Sequence, residues 1–109
     1  MLTYNDAAVF VSKGRNGSKK IGHNTYVEDI GNDTFGVRLH NTYVVRIYKD
    51  GTYTLHSGGW RTVTTKDRIN ANGPAKVYQK NHVWYVGNVP FTDGMRVDAN
   101  GQPVTELAA

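Results

Sequence analysis

The 109-residue sequence predicts a mainly β fold, an antiparallel meander that forms a small barrel or sandwich with one short helix. Two observations support this. Short runs rich in Thr, Val, Ile and Tyr, which are favoured on pleated sheets, alternate with turns rich in Gly, Asn and Asp. Two consecutive turns, at 40–42 and 49–51, independently place apolar residues of their flanking runs on one face. A chain of this length forms a single domain, 1–109, with a buried core.

The two ends are predicted to be less regular than the middle. Asn5 or Asp6 suits the cap of one helical turn, while the apolar run at 7–11 equally suits a strand, and both alternatives stay open. Residues 12–20 hold two Gly and four basic residues, which predicts a flexible basic loop within a partly flexible segment 1–20. A flexible tail is predicted at 99–109. The predicted strands are 25–30, 34–39, 43–48, 52–56, 75–79, 82–87 and 95–98.

Three-residue loops set the register of the central strands. Gly51 occupies the position of the 49–51 loop that requires positive φ, and 40–42 is a loop of the same length. A third hairpin turns at Lys80-Asn81. Side chains that face the sheet core should include Tyr43, Tyr53 and Trp84. The predicted cross-strand pairs are Phe35–Ile47, Val37–Val45, Leu39–Tyr43, Val45–Leu55 and Ile47–Tyr53.

One helix is predicted over 65–71. Thr64 stands three residues before Asp67, a weaker form of the capping box, and Gly73-Pro74 ends the segment.

The pentapeptide His-Asn-Thr-Tyr-Val occurs at 23–27 and again at 40–44. In a meander the two copies start parallel strands separated by one other, so His23 and His40 should lie about 10 Å apart at ~4.8 Å per strand. The strand at 52–56 ends on the same edge with His56. We call this edge of the sheet the rim, and it is the predicted functional site.

The segment that leaves the rim adds groups suited to an anionic ligand. Gly58-Gly59 lets the backbone approach a ligand, Trp60 offers a stacking face, and Arg61 offers a planar fork for phosphate, to which Arg38 could add. The structural alternative is that Trp60 plugs the end of a barrel while Arg61 pairs with Asp67 or Asp50. The predicted ligand-binding residues are His23, Asn24, Thr25, His40, Asn41, Thr42, His56, Trp60, Arg61, Lys66 and Arg68.

Three chemistries compete for the rim. A zinc site of three His would leave one open position, but the spacing matches no zinc signature, so no metal ligand is assigned.

His-x-Thr occurs twice and resembles the motifs of two-histidine phosphoesterases, which implies a phosphodiesterase or nuclease with His23 and His40 as base and acid. That family separates its motifs by a whole lobe, whereas these lie 17 residues apart. A non-catalytic groove for nucleic acid or a nucleotide needs only the residue types present.

Charge and composition narrow the class of protein. Thirteen Lys and Arg against nine Asp and Glu give a net charge of +4, which attracts polyanions modestly. The absence of Cys excludes a disulfide scaffold and a thiol nucleophile. No apolar run has the roughly 20 residues of a membrane span and the start lacks a signal-peptide pattern, so we expect a cytoplasmic location without a membrane partner.

The stretch from Ile21 to Tyr85 resembles short uncharacterised proteins of bacteriophages and other mobile elements. The Ser-Gly-Gly-Trp-Arg-Thr block at 57–62 is the most specific part of the resemblance, which also covers Val-Trp-Tyr-Val at 83–86. The resemblance implies action inside a bacterial host cell, by binding nucleic acid or by neutralising a host defence component. It supplies no catalytic residues.

These observations predict a small, phage-encoded, non-enzymatic binding protein for an anionic ligand, nucleic acid or a nucleotide, that acts without a cofactor. The enzyme described above and a protein-binding inhibitor of a host factor, which would add its sheet edge to a partner's sheet, are the alternatives.

Overall fold

The computed structural model describes residues 1–104, and 105–109 lie outside the described part. Two helices and nine strands follow one another along the chain. They are α1 (Tyr4–Ser12), β1 (Ser18–Gly22), β2 (Thr25–Gly31), β3 (Thr34–Leu39), β4 (Thr42–Tyr48), β5 (Tyr53–Leu55), α2 (Val63–Asn72), β6 (Val77–Lys80), β7 (Val83–Val86), β8 (Val89–Pro90) and β9 (Met95–Val97).

The strands form two antiparallel sheets. The large sheet has the order β1-β2-β3-β4-β5-β9, and the small sheet has the order β6-β7-β8. The mainly β meander is therefore confirmed. The large sheet does not close into a barrel, since β1 and β9 are its two edges. Within residues 1–104, neither helix is long and apolar enough to cross a lipid bilayer.

The core lies against one face of the large sheet, which we call the inner face. Val27 of β2, Val37 of β3 and Ile47 of β4 are completely or almost completely buried there. Helix α1 contributes Ala7 and helix α2 contributes Ile69 to the same cluster. The small sheet and its flanks add Val77, Trp84, Val86 and Phe91. The opposite face, which we call the outer face, carries the polar and aromatic side chains described below.

Four of the five predicted cross-strand pairs are confirmed, and the fifth is wrong. Phe35–Ile47 and Val37–Val45 join β3 to β4, and two further pairs, Val45–Leu55 and Ile47–Tyr53, join β4 to β5. Leu39 pairs with Thr42 instead of Tyr43, because a β-bulge shifts the register between Val37 and Arg38. The turn is thus His40-Asn41, with His40 at a φ of 54°. The third hairpin turns at Asn81-His82, because Lys80 itself pairs with Val83.

The bulge gives β4 one extra residue, Val44, between the pairs Arg38–Tyr43 and Val37–Val45. Val44 and Val45 are both buried, at 1% and 0% exposure. Tyr43, predicted to face the core, lies half-buried on the outer face instead, where its hydroxyl bonds Glu28. Val44 and Val45, which strand alternation would place on opposite faces of the sheet, therefore both lie on the inner face.

Both helices differ from the sequence prediction at their N-termini. Helix α1 is a full helix that begins after Thr3, whose hydroxyl accepts the Asp6 N–H while the Asp6 carboxylate accepts the Thr3 N–H. This reciprocal capping box decides against the strand alternative and against Asn5 or Asp6 as the cap. Helix α2 is capped by Thr62, not Thr64, and ends at Gly73 as predicted.

The two segments predicted to be flexible contain regular contacts. Residues 12–20 include the end of α1 and the first residues of β1, because the backbone of 18–20 pairs with β2. After β9, the Asp98 carboxylate accepts the N–H groups of Asn100 and Gln102, and Pro103 forms a bridge with Val97. The last five residues of the predicted tail 99–109 lie outside the described residues.

Gly36 of β3 makes room for the Tyr43 ring, which gives a first prediction. A Cβ at Gly36 would lie 2.4 Å from Cδ1 of Tyr43. Gly36→Ala should therefore lower the free energy of unfolding by about 1–3 kcal/mol, the usual effect of overpacking. The measurement is chemical denaturation followed by circular dichroism.

Gly22→Ala is the matched control, because a Cβ at Gly22 would meet only ordinary contacts at 3.7 Å. That variant should stay within about 0.5 kcal/mol of the parent. Equal stability of the two variants would contradict the placement of the Tyr43 ring.

Candidate functional site

The rim exists as a structural feature. Strands β2 and β4 both begin there, and β5 ends there. The His40 N–H donates to the Asn24 carbonyl at 3.2 Å, which joins the two repeat turns directly, and the His56 N–H donates to the Val44 carbonyl at 2.9 Å. The backbone thus places His23, His40 and His56 along one edge of the large sheet.

The rim histidines do not form a metal centre. Among residues 1–104, no group of three or more His, Asp and Glu side chains could hold a metal ion. His23 and His40 are both exposed on their turns, but only His40 lines the cleft described next. The zinc and two-histidine alternatives gain no support from this arrangement.

A cleft of about 590 Å³ opens at the rim on the inner side of β4, and we call it the rim cleft. Its volume lies in the range of about 300–1,000 Å³ that is typical of small-molecule sites. The predicted site residues His40, Asn41, Thr42 and Trp60 are brought together here. The full lining is Leu39, His40, Asn41, Thr42, Val44, Ser57, Trp60, Thr62, Thr64 and Thr65.

The lining of the rim cleft combines apolar surface with hydroxyl groups. Leu39 and Val44 are buried, whereas Trp60 is 68% exposed. The exposure of Trp60 overturns the alternative in which the indole plugs a barrel. The hydroxyls come from Thr42, Ser57 and three threonines around the start of α2, and the described lining contains no Asp, Glu, Lys or Arg.

Several predicted site residues serve other contacts. Arg68 donates from Nε to the Thr25 hydroxyl at 3.0 Å, and Thr25 is buried, so this pair ties α2 to β2. Lys66 is half-buried in the first turn of α2, and His23 and Asn24 lie exposed on the β1–β2 turn. None of these five residues lines the rim cleft.

Arg61 points toward the small sheet. Its guanidinium carbon lies 4.9 Å from the Phe91 ring centroid and 5.4 Å from that of Trp84. A nitrogen of Arg61 is 3.9 Å from an Asp93 carboxylate oxygen. The acidic partner is thus Asp93, not Asp67 or Asp50. The Arg61 side chain remains 42% exposed and does not line the rim cleft, so its role as a fork for phosphate stays a prediction.

A second, smaller cleft of about 280 Å³ lies on the outer side of the rim, and we call it the outer cleft. Its floor includes His56, whose burial lowers its pKa, with a further lowering from nearby Arg46 and an opposing effect of Asp93. Burial raises the pKa of Asp93, but bonds donated by the N–H and hydroxyl of Ser57 outweigh it and lower the pKa. The lining is Asn41, Thr42, Tyr43, Arg46, His56, Gly58, Gly59 and Asp93.

The outer face of the large sheet carries cation–aromatic pairs that the sequence analysis did not identify as a site. In three of them an arginine lies over a tyrosine ring: Arg38 over Tyr26 at 4.7 Å, Arg46 over Tyr43 at 5.9 Å, and Arg96 over Tyr48 at 4.5 Å. All six residues are half-buried, so each keeps some contact with solvent.

Glu28 organises the β2 end of this face. Its carboxylate accepts bonds from Arg38 Nε and Nη2, from the Tyr43 hydroxyl at 2.7 Å and from the Ser18 hydroxyl at 2.9 Å. The Arg38 bonds, assisted by those of Tyr43 and Ser18 and opposed by burial, lower the pKa of Glu28 to about 2. The bond to Glu28 also raises the pKa of Tyr43. The four side chains form one fixed cluster across β1–β4.

Arg46 and Arg96 differ from Arg38 in their partners. Neither forms an ion pair within residues 1–104, and Arg96 donates to the Thr52 hydroxyl at 2.6 Å. Arg46 Nε is buried and has no hydrogen-bond partner in that described range. An unpaired buried donor is unfavourable.

Period-two spacing was the signal that could have revealed the outer face. Tyr26 and Glu28 alternate with buried residues on β2, and Arg46 and Tyr48 do so on β4. The alternation breaks at Tyr43 because of the bulge, which is why this ring was assigned to the core.

A family model described as Kyanoviridae Gp96 protein matches residues 6–98. No curated protein and no solved structure matches the chain significantly. The matched range includes both clefts and the outer face from β1 to β9.

The Glu28 cluster gives a prediction for pH. Because the folded-state pKa of Glu28 is lowered from 4.5 to about 2, its stabilisation is present above pH 4.5 and is lost as the pH falls toward 2. Glu28→Gln should lower the free energy of unfolding at pH 7 by about 1–2 kcal/mol. It should also flatten the change in stability between pH 4.5 and 2, measured by urea denaturation at a series of pH values.

Asp67→Asn, at an exposed position of α2, is the control and should leave the stability at pH 7 nearly unchanged. A Glu28→Gln protein with the parent's pH profile would show that the cluster does not hold its charge as described.

Proposed function

The chain belongs to the Kyanoviridae Gp96 family of phage proteins, and we propose that it is a non-enzymatic binding protein for single-stranded nucleic acid. The contact surface is the outer face of the large sheet. The observation that carries the proposal is the row of three arginine–tyrosine pairs across β2, β3, β4 and β9.

The chemistry of these pairs suits an unpaired strand. Tyrosine rings stack on base faces regardless of sequence, and guanidinium groups bind phosphate and also stack on bases. A duplex hides its base faces within its own stack, so partly exposed rings on a sheet favour single strands. Tyr43 and Tyr48 lie at the two ends of β4 and Tyr26 lies on β2, two strands away, so the face offers bases three separate platforms.

The charge of the outer face supports the same ligand. Lys20 of β1 pairs in register with Tyr26 and joins the three arginines on this face. Each arginine has one carboxylate nearby: Glu28 is bonded to Arg38, Asp50 interacts electrostatically with Arg96, and Asp93 lines the outer cleft with Arg46. Glu28 neutralises Arg38, so Arg46 and Arg96 are the cations available for phosphate. These two arginines therefore supply the electrostatic part of the affinity.

Sequestering an unpaired strand or a nucleotide is how such a protein would counteract a host defence in the infected cell. The protein-binding alternative would use a sheet edge, and edge strand β1 offers one. It becomes the preferred function only if the experiment below finds no nucleic-acid binding.

Arg46→Ala and Arg96→Ala test the proposal. Each should lower the affinity for a labelled 20-nucleotide single strand about 5- to 10-fold, because each removes a phosphate-binding group and a stacked cation. Fluorescence anisotropy at several salt concentrations should show a slope of log K against log salt that is smaller by about 0.7 for each phosphate that the variant no longer neutralises.

Lys80→Ala removes an exposed charge from the small sheet and is the control. It should change affinity less than twofold, and thermal melts should confirm that all variants are folded. If Lys80→Ala and the two arginine variants lost affinity equally, the net charge of the protein would explain the losses. That result would contradict the outer face as the binding surface.

A further inference from the structure

We infer that the rim cleft receives one unstacked nucleobase, with the indole of Trp60 as its stacking platform. This inference rests on the proposed function. It adds the place where a strand bound on the outer face would end, which is the rim cleft. The ligand class is a nucleobase with its sugar, either the terminal unit of a bound strand or a free nucleotide.

The lining selects a base over a phosphate. Apolar Leu39 and Val44 form buried surface, while hydroxyl, amide and imidazole groups surround it. The Asn41 amide and the Thr42 and Thr64 hydroxyls match the donors and acceptors on base edges, whereas no Lys or Arg of the described chain lines the cleft to neutralise a phosphate. An uncharged heterocycle is therefore the better occupant.

Trp60 is placed for this role. It follows Gly58 and Gly59, which have φ values of 63° and 82°. The backbone N–H of Trp60 donates to the Ser57 carbonyl at 3.0 Å. The turn that presents Trp60 is fixed to the body, since Ser57 is buried and donates twice to Asp93. An indole that is 68% exposed on a fixed turn is available to stack on a base.

The two clefts connect the outer face to this end point. Asn41 and Thr42 line both the rim cleft and the outer cleft, and Tyr43 and Arg46 belong to both the outer cleft and the outer face. A strand that follows the Arg–Tyr pairs can thus cross the rim, with its phosphate near Arg46, and place its last base beside Trp60. Asp93 opposes a phosphate less than its charge suggests, because it faces Ser57 and Arg61.

The test is a titration of the intact protein with a 12-nucleotide single strand, followed by tryptophan fluorescence and anisotropy. The exposed Trp60 should be quenched on binding, and Trp60→Phe, which retains only buried Trp84, should show no such quenching. Trp60→Ala should lower affinity at least about fivefold, the lower end for loss of one base stack. Val63→Ala, equally exposed at 69% and outside the cleft lining, should change affinity less than twofold.

Two further arms identify the source of the base. A strand that lacks its terminal base should bind the parent as weakly as the complete strand binds Trp60→Ala, if the terminal unit is the occupant. Nucleoside monophosphates that quench Trp60 at millimolar concentration without a strand would support a free nucleotide instead.

The outcomes separate the two proposals. Binding that depends on Arg46 and Arg96, but with no Trp60 quenching and no loss of affinity in Trp60→Ala, would overturn the cleft assignment alone. Absence of strand binding in the parent would overturn the proposed function, and absence of monophosphate quenching in that case would overturn the cleft assignment as well.

Discussion

One extra residue in β4 determines how both sides of the sheet are used. With Val44 inserted between two register pairs, Tyr43 turns to the outer face and Val44 joins Val45 on the buried side. The Tyr43 hydroxyl can then reach Glu28, and its ring can lie over Gly36 and beside Arg46. On the other side, Val44 becomes part of the rim cleft. Without the bulge, neither surface would have its present composition.

The cluster around Glu28 divides the arginines of the outer face into two kinds. Arg38 is held by two bonds to the carboxylate and donates to the His40 carbonyl, so it links β2 to the rim turn and acts as a structural cation. Arg46 and Arg96 lie over tyrosine rings, and neither forms an ion pair in the described part of the chain. The net charge of +4 is modest, and the position of these two side chains matters more than the total. Under the proposed function, a face with fixed rings and available cations would lose little side-chain freedom on binding a flexible polyanion.

Turn chemistry explains how much of this fold could be predicted from the sequence. Gly51 and the paired apolar residues around it fix the β4–β5 register, because a one-residue slip would expose all of them. The bulge at Val44 has no local signature, since Tyr and Val are equally suited to either face. Helix α1 depended on the Thr3–Asp6 capping box, which precedes the ambiguous apolar run. The rim was predictable because the repeated pentapeptide starts two strands at one edge. The outer face was predictable only in part. Period-two spacing indicates that Tyr26, Arg46 and Tyr48 face away from the core, but the arginine–tyrosine pairs join strands that become neighbours only through sheet order.

The claim that the outer face binds an unpaired strand is tested most directly by mapping the contact on the protein. Two-dimensional ¹⁵N–¹H spectra of the labelled protein would be recorded during titration with a short single strand. The account predicts that the shifted amides and Arg Nε–H signals cluster on β2, β3, β4 and β9 and continue to the 56–60 turn. Shifts confined to α1 or to the small sheet, or a spectrum that does not change at saturating strand, would contradict it.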